Sequence, residues 1–278
     1  MTTLLSQQEF VRTYSTPSNT DPWQTVEEYQ RVLEYTGAHP QKGSSAVASA
    51  LELPRGRVHP WMNGSRPPLV RALQIAEEQG WVPLSASDDA AVWFTELVAW
   101  IFSRGSITEA DYSPSFVCTS EAEQSRLEIV FSALDISYDI YRADESRSTE
   151  ARISEHRSIL GRILTALDAP KGTPNTIRRI PAYLHAEPRL LQDVFATVYV
   201  RNAGAYWEWK DGYVIRQDEY TDEYRDSLAA LFRQLSTLEA TDAIEVNPDS
   251  IFLPTAVVED IRSSASPILG PDALSFGE

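Results

Sequence analysis

The sequence predicts an α+β protein: an N-terminal all-α domain followed by two consecutive copies of an α-β-β-α-β-β-α unit. Three observations predict it. Residues 97–105 read LVAWIFSRG and residues 196–204 read ATVYVRNAG, each an apolar helical run closed by glycine, 99 positions apart. After both runs the same order of elements can be read: strand hairpin, helix, second hairpin, helix. Ahead of them, residues 23–84 carry apolar side chains at helical rather than strand spacing.

Residues 1–22 hold Thr, Ser, Pro and Asn with little periodicity and are expected to be a flexible lead-in. From Thr25, TVEEYQRVLEY places Val26, Tyr29, Val32 and Leu33 on one helical stripe, which Gly37 and Pro40 end. In GSSAVASALELPRGRVHPWMNG, Ser44 or Ser45 is expected to cap a short helix with Val47, Ala48 and Leu51 inward. Leu53 and Pro54 make a turn, and a second short helix directs Val58 and Trp61 inward. A small residue at the crossing with apolar anchors on either side suits two short helices crossing steeply. This segment resembles a helix-turn-helix; a trihelical protein-interaction bundle has the same pattern. The resemblance implies that Arg55, Arg57, His59 and Asn63 face a major groove, with Lys42, Ser44 and Arg66 placed for phosphates. Pro60 should shorten or bend the second helix. Pro67-Pro68 opens another helix with Leu69, Leu73 and Ile75 inward; Gly80 stops it, and VPLSASDD reads as a linker. The helix-turn-helix domain is thus set at 23–84.

The first repeat is set at 90–172. Its opening helix, Ala90 to Ser103, is apolar enough to be buried on most sides. GSITEADYSPSFVCTS reads as a hairpin, EAEQSRLEIVFSALD as an amphipathic helix, SYDIYRAD and TEARISEH as strands, and RSILGRILTALDAP as the closing helix. A linker at 173–187 contains TPNTIRRIP, whose Arg178-Arg179 pair is either a phosphate contact or part of a solvated loop. The second repeat, 188–270, runs through PRLLQDVFATVYVRNAG, the hairpin AYWEWK-DG-YVIRQDEY with its Asp211-Gly212 turn, the helix TDEYRDSLAALFRQLSTL, the strands AIEVNPD and SIFLPTAV, and the helix AVVEDIRSSA. Tyr206, Trp207 and Trp209 open a strand and are expected in a core or an interface rather than as a base-stacking platform.

Composition narrows the function classes. A 42% hydrophobic content in 278 residues supports a real core. No apolar run approaches the roughly 20 residues of a membrane span, and MTTLLSQQEF is no secretion signal, so a cytoplasmic protein is expected. The single cysteine, Cys118, forbids an internal disulfide and reads as a buried thiol. His39, His59, His156 and His185 lack metal-ligand spacing, so neither a metal nor another cofactor is expected. Net charge is −16, and only three of the 24 basic residues are lysine. This balance resembles that of proteins from salt-loving archaea. Against the acidic background, residues 40–71 carry five basic residues and one acidic, and residues 147–201 nine against five.

The two glycine-closed helices, with the doubled element order, resemble the LAGLIDADG homing endonucleases over about residues 90–270. The resemblance implies a saddle of two four-stranded sheets over DNA, with the two named helices side by side. Ala99 supplies the small residue that close helix contact requires, whereas Val198 is bulkier. In that family the residue before each glycine is a carboxylate that holds magnesium. Here the motif positions read Arg104-Gly105 and Ala203-Gly204. The expectation is therefore a protein that is not an enzyme, with Arg104 supplying positive charge to the DNA. Such a scaffold joined to a helix-turn-helix resembles WhiA-type transcription regulators, with the module placed first rather than last. The function expected is a sequence-specific, double-stranded-DNA-binding transcription regulator on a catalytically inactive scaffold, in contact with the transcription machinery. The alternatives are a homing endonuclease with relocated metal ligands and a protein-interaction adaptor.

Overall fold

A computed structural model describes residues 2–17, 21–142, 148–173, 177–186, 188–217, 219–237 and 243–269. Residues 174–176 and 187 of the expected linker, and 143–144 of an expected strand, lie outside these. The chain divides into two compact units, Leu5–Pro83 and Met1–Leu4 with Leu84–Glu278.

The first unit is helical. Its start corrects the expectation of a loose lead-in: Gln7–Arg12 is a helix, α1, with Phe10 and Val11 fully buried. The cause is local. Ser6 Oγ accepts the Glu9 N–H at 3.2 Å while Glu9 accepts the Ser6 N–H at 2.8 Å, a reciprocal capping box. Helix α2, Pro22–Ala38, begins with proline, which needs no intrahelical donor there. Val26, Tyr29 and Val32 face inward, whereas Leu33 lies outside the core, 45% exposed.

Two short helices follow, α3 at Ser44–Leu51 and α4 at Arg55–Met62. Gly43, not a serine, occupies the N-cap of α3, which makes Ser44 the first helical residue. Glu52 adopts the left-handed conformation, φ 56°, and the Leu53 N–H returns to the Ala48 carbonyl at 3.0 Å. Val47, Ala48, Val58 and Trp61 are buried, while Leu51 and Leu53 are half-buried. Tyr29 of α2 meets Trp61 edge to face at 5.6 Å, a favoured aromatic geometry. Pro60 lies inside α4, and the helix ends two residues later. In α5, Pro68–Glu78, Leu69 and Leu73 are buried as expected; Val70 and Ala76 complete the face, and Ile75 is half-buried.

The stretch read as a linker is itself packed. Val82 and Leu84 are buried, and a strand at Leu84–Ser85 (β2) pairs with one at Thr3–Leu5 (β1). The second unit then builds on α6, Asp89–Arg104, and α9, Arg189–Ala203, which lie against each other. Their facing residues exclude water almost all round: ten residues of α6 and twelve of α9 are buried. Each helix runs straight into a strand at its glycine. From Gly105 come β3 (Gly105–Ile107), β4 (Pro114–Val117), α7 (Glu121–Ala133), β5 (Tyr138–Tyr141), β6 (Glu150–Ile153) and α8 (Arg157–Ala166). From Gly204 come β7 (Gly204–Trp207), β8 (Gly212–Arg216), α10 (Asp222–Leu235), β9 (Glu245–Val246), β10 (Ser250–Pro254) and α11 (Thr255–Leu269).

Both sheets are antiparallel with the same order, β3-β4-β6-β5 and β7-β8-β10-β9. The doubled topology is thus present, with shorter strands than the sequence suggested. Residues 208–210 form a 3₁₀ turn instead of extending β7.

Candidate nucleic-acid interface

The paired helix ends are the first place to look for chemistry. Gly105 and Gly204 are required there by close approach. A Cβ on Gly105 would lie 2.9 Å from the Ile101 Cα, and one on Gly204 would lie 2.6 Å from the Val200 carbonyl oxygen. Asn202 of α9 donates to Ser103 Oγ of α6 at 3.1 Å, so equivalent positions of the two repeats touch across the helix pair. Ser103 in turn donates to the Ala99 carbonyl at 2.8 Å.

One residue further on, the two ends differ. Arg104 donates to Glu123 at 2.7 Å, whereas Ala203 offers no polar group. Glu123 arrives from the first turn of α7 because Ser120 and Glu123 form a capping box, with the Thr119 N–H also on the carboxylate at 2.6 Å. A cleft of about 430 Å³ opens beside it, lined by Arg104, Ser106, Ser115, Thr119, Ser148 and Glu150. Carboxylates therefore do stand near the first end, but they come from α7 and β6. One carboxylate from each of α6 and α9, the arrangement that would hold magnesium, does not fit these residues. Among the described residues, no cluster of three or more His, Cys, Asp or Glu side chains is placed to hold a metal ion.

Behind the ends lies a buried charge cluster that the sequence reading missed. Glu96 of α6 receives a two-pronged hydrogen bond from Arg126 of α7, at 2.9 and 2.6 Å, and Arg201 of α9 stands 3.6 Å from it. All three are buried. Two guanidiniums share one carboxylate, and Trp100 and Trp93 lie under Arg201 and Arg126 at 4.8 and 5.3 Å. Burial lowers the Arg201 pKa against the opposing pull of Glu96. Arg126 also donates to the Leu269 carbonyl at 3.0 Å, tying down the end of α11. A Glu in an otherwise apolar helix was the available signal.

Strand alternation leaves one face of each sheet free of helices. On the first sheet this face presents Ser106, Ser115, Val117, Asp139, Tyr141, Glu150 and Arg152. It is hydroxyl-rich, and Arg152 is paired with Glu150 at 2.9 Å. A second cleft, about 530 Å³, lies among Asp139, Arg152, Arg157 and neighbouring serines. On the second sheet the same face presents Ala205, Val214, Phe252 and Trp207, with Lys210 lying over Trp207 and Phe252. Trp209, Tyr206 and Trp207 are 92%, 56% and 44% exposed, which removes them from the core.

The expected groove-facing residues divide. Arg55 and His59 are exposed one turn apart on α4, and Asn63 ends the helix, its side chain donating to the His59 carbonyl at 2.9 Å. Arg57 instead points back to the buried Glu28 of α2 in an ion pair. Lys42, half-buried, donates to Tyr35 at 2.5 Å; Ser44 is half-buried; Arg66 is exposed and reaches Gln74 at 2.9 Å. In the other unit, Arg178 is exposed but pairs with Glu223 of α10 at 3.0 Å, beside an exposed Arg179. Lys42, Ser44, Arg55, His59, Asn63 and Arg66 share the first unit, whereas Arg104, Arg178 and Arg179 belong to the second.

No protein-family model matches the sequence, and no curated protein matches it. Among solved structures the fold is similar to the homing endonuclease I-WcaI bound to its DNA recognition sequence, with a TM-score of 0.51 at 14% identity. The match covers 78% of this chain and 97% of that one. The chain therefore has a homing-endonuclease-like fold. The likeness corrects the expectation that the chain is not an enzyme: the fold is one that an endonuclease carries. The missing carboxylates at 104 and 203 describe two positions and do not establish inactivity. Among the described residues no helix is long and apolar enough to cross a membrane.

Proposed function

We propose that this chain is a sequence-specific double-stranded-DNA-binding protein that regulates transcription. The observation that carries the reading is the pair of glycine-closed helices feeding two like-ordered sheets, in a fold similar to that of a homing endonuclease bound to its DNA recognition sequence. The α3–α4 pair supports it as a helix-turn-helix, with Arg55, His59 and Asn63 available to base edges and Lys42, Ser44 and Arg66 to phosphates. Arg57 enters this set by leaving Glu28. Arg104, Arg178 and Arg179 supply charge from the second unit. The combination resembles WhiA-type regulators and implies contact with the transcription machinery. In the molar salt of salt-loving archaea, whose proteins this composition resembles, counterion release contributes little, so bidentate arginine contacts carry more of the selectivity.

The test is selection of duplexes from a random pool by the full chain at fixed salt. Enrichment of one sequence is expected, with Arg55→Ala relaxing one base position and Arg104→Ala lowering the salt slope by about one. No enrichment at any salt would leave the protein-interaction reading in its place. A second reading, endonuclease action by relocated acids, is favoured by Glu123 touching Arg104 and Glu150 lining the adjoining cleft. Cleavage of the selected duplex in magnesium, lost in Glu123→Gln, would establish it.

A further inference from the structure

The ion pair between Glu28 of α2 and Arg57 of α4 is uneven. The Glu28 side chain is 8% exposed and the Arg57 side chain 46%. The acid is fixed between the helices, whereas the guanidinium lies at their edge and has room to swing outward. Gln24, one turn earlier on α2, donates to the other carboxylate oxygen of Glu28 at 3.2 Å. Glu28 therefore keeps one partner when Arg57 departs. Tyr29 of α2 and Trp61 of α4 meet at 5.6 Å, so apolar packing joins the same two helices without the ion pair.

Position brings Arg57 within reach of a duplex. It lies in the first turn of α4, and helical side chains tilt toward the helix N-terminus. Its long side chain thus reaches the end of the helix where Arg55 is exposed. In a helix-turn-helix, the N-terminal residues of the second helix are the ones that meet DNA. Residues 40–71 carry five basic residues and one acidic, Glu52, and Glu28 reaches in from outside that stretch to neutralise one of the five. Lys42 and Arg66 are held by neutral groups, Tyr35 and Gln74. A carboxylate holds a cation more tightly than such groups do.

We propose that Glu28 is an autoinhibitory residue: it withholds Arg57 from the DNA backbone, so that α4 grips a duplex with one cation fewer than its sequence carries. Release leaves a buried carboxylate without its counter-charge, which is costly. The inference rests on the DNA-binding reading above and deepens it, by naming the acid that limits the affinity of that site.

The experiment titrates the full chain, Glu28→Gln and the double variant Glu28→Gln/Arg57→Gln with the duplex selected by the wild type, at several salt concentrations. Glu28→Gln is expected to bind about tenfold tighter, the size of one charge-assisted contact. Its salt slope should steepen by about one, for one added phosphate contact. The double variant should lose both gains. Circular dichroism checks that each variant folds, and Glu28→Met, of similar volume and uncharged, takes the place of Glu28→Gln should that variant not fold. If removing the acid leaves affinity and slope unchanged, the withholding is overturned and the DNA reading stands. If the double variant keeps the full gain, Glu28 acts only by its own charge, and the withholding is again overturned. If the wild type selects no duplex, both readings fall together.

Discussion

The two repeats of the second unit share a topology and almost nothing on their surfaces. In the first, the helix ends in Arg104 paired with Glu123, the sheet face is lined with hydroxyls, and the hairpin is closed by α8. In the second, the helix ends in Ala203, the sheet face carries Trp207 over Phe252, and the hairpin projects Trp209. Even the core is lopsided: α6 contributes Glu96, while the equivalent position of α9 is Phe195. The lesson is that strand order and the helix contact fix the scaffold, and each half then fills its faces independently.

The lopsided core offers the largest perturbation. Glu96→Ala would leave Arg126 and Arg201 buried without a counter-charge, at a cost of about 3–5 kcal/mol. A denaturant melt should show it; an unchanged midpoint would mean that the cluster is hydrated rather than buried. Next is the seal on the first hairpin. A Cβ on Gly161 of α8 would lie 1.8 Å from the Tyr112 carbonyl oxygen, so Gly161→Ala should destabilise by roughly 3 kcal/mol, the upper end of ordinary overpacking. Enhanced proteolysis confined to the 108–113 loop would show that the seal had opened.

The smallest effect belongs to the second repeat, where the corresponding brace is electrostatic. Asp260 of α11 accepts the Thr237 N–H at 2.7 Å beyond the end of α10, and this bond holds its pKa below the ordinary 3.8. A depressed carboxylate stabilises above its unfolded pKa, and that contribution is lost as pH falls through the folded value. Thermal melts of Asp260→Asn against wild type should therefore differ above pH 3.8 and converge only as pH falls through the lower, folded value. A constant difference across that window would remove the linkage.

Much of this was legible in the sequence because it follows from periodicity. The two glycine-closed helices, the doubled element order and the two short helices at 44–62 all lie where spacing put them. What escaped depended on local bonds or on distant partners. The Ser6–Glu9 capping box is a four-residue signal hidden in a polar stretch, and it nucleates a helix where composition suggested none. Arg104 meets Glu123 because a second such box at Ser120 points that carboxylate back, a pairing across 19 residues that spacing cannot show. Arg57 was expected to face outward, and Glu28 on α2 turns it back. The Asp211-Gly212 turn was readable, but the 3₁₀ turn before it was not, and that turn lifts Trp209 out of the sheet.

The contact between Ser103 and Asn202 has a last consequence. Each is the other's counterpart under the internal symmetry, and the bond runs from an amide donor on one helix to a hydroxyl acceptor on the other. Two copies of either half would face serine with serine or asparagine with asparagine at the dyad. The helix pair thus has a left and a right that are not interchangeable.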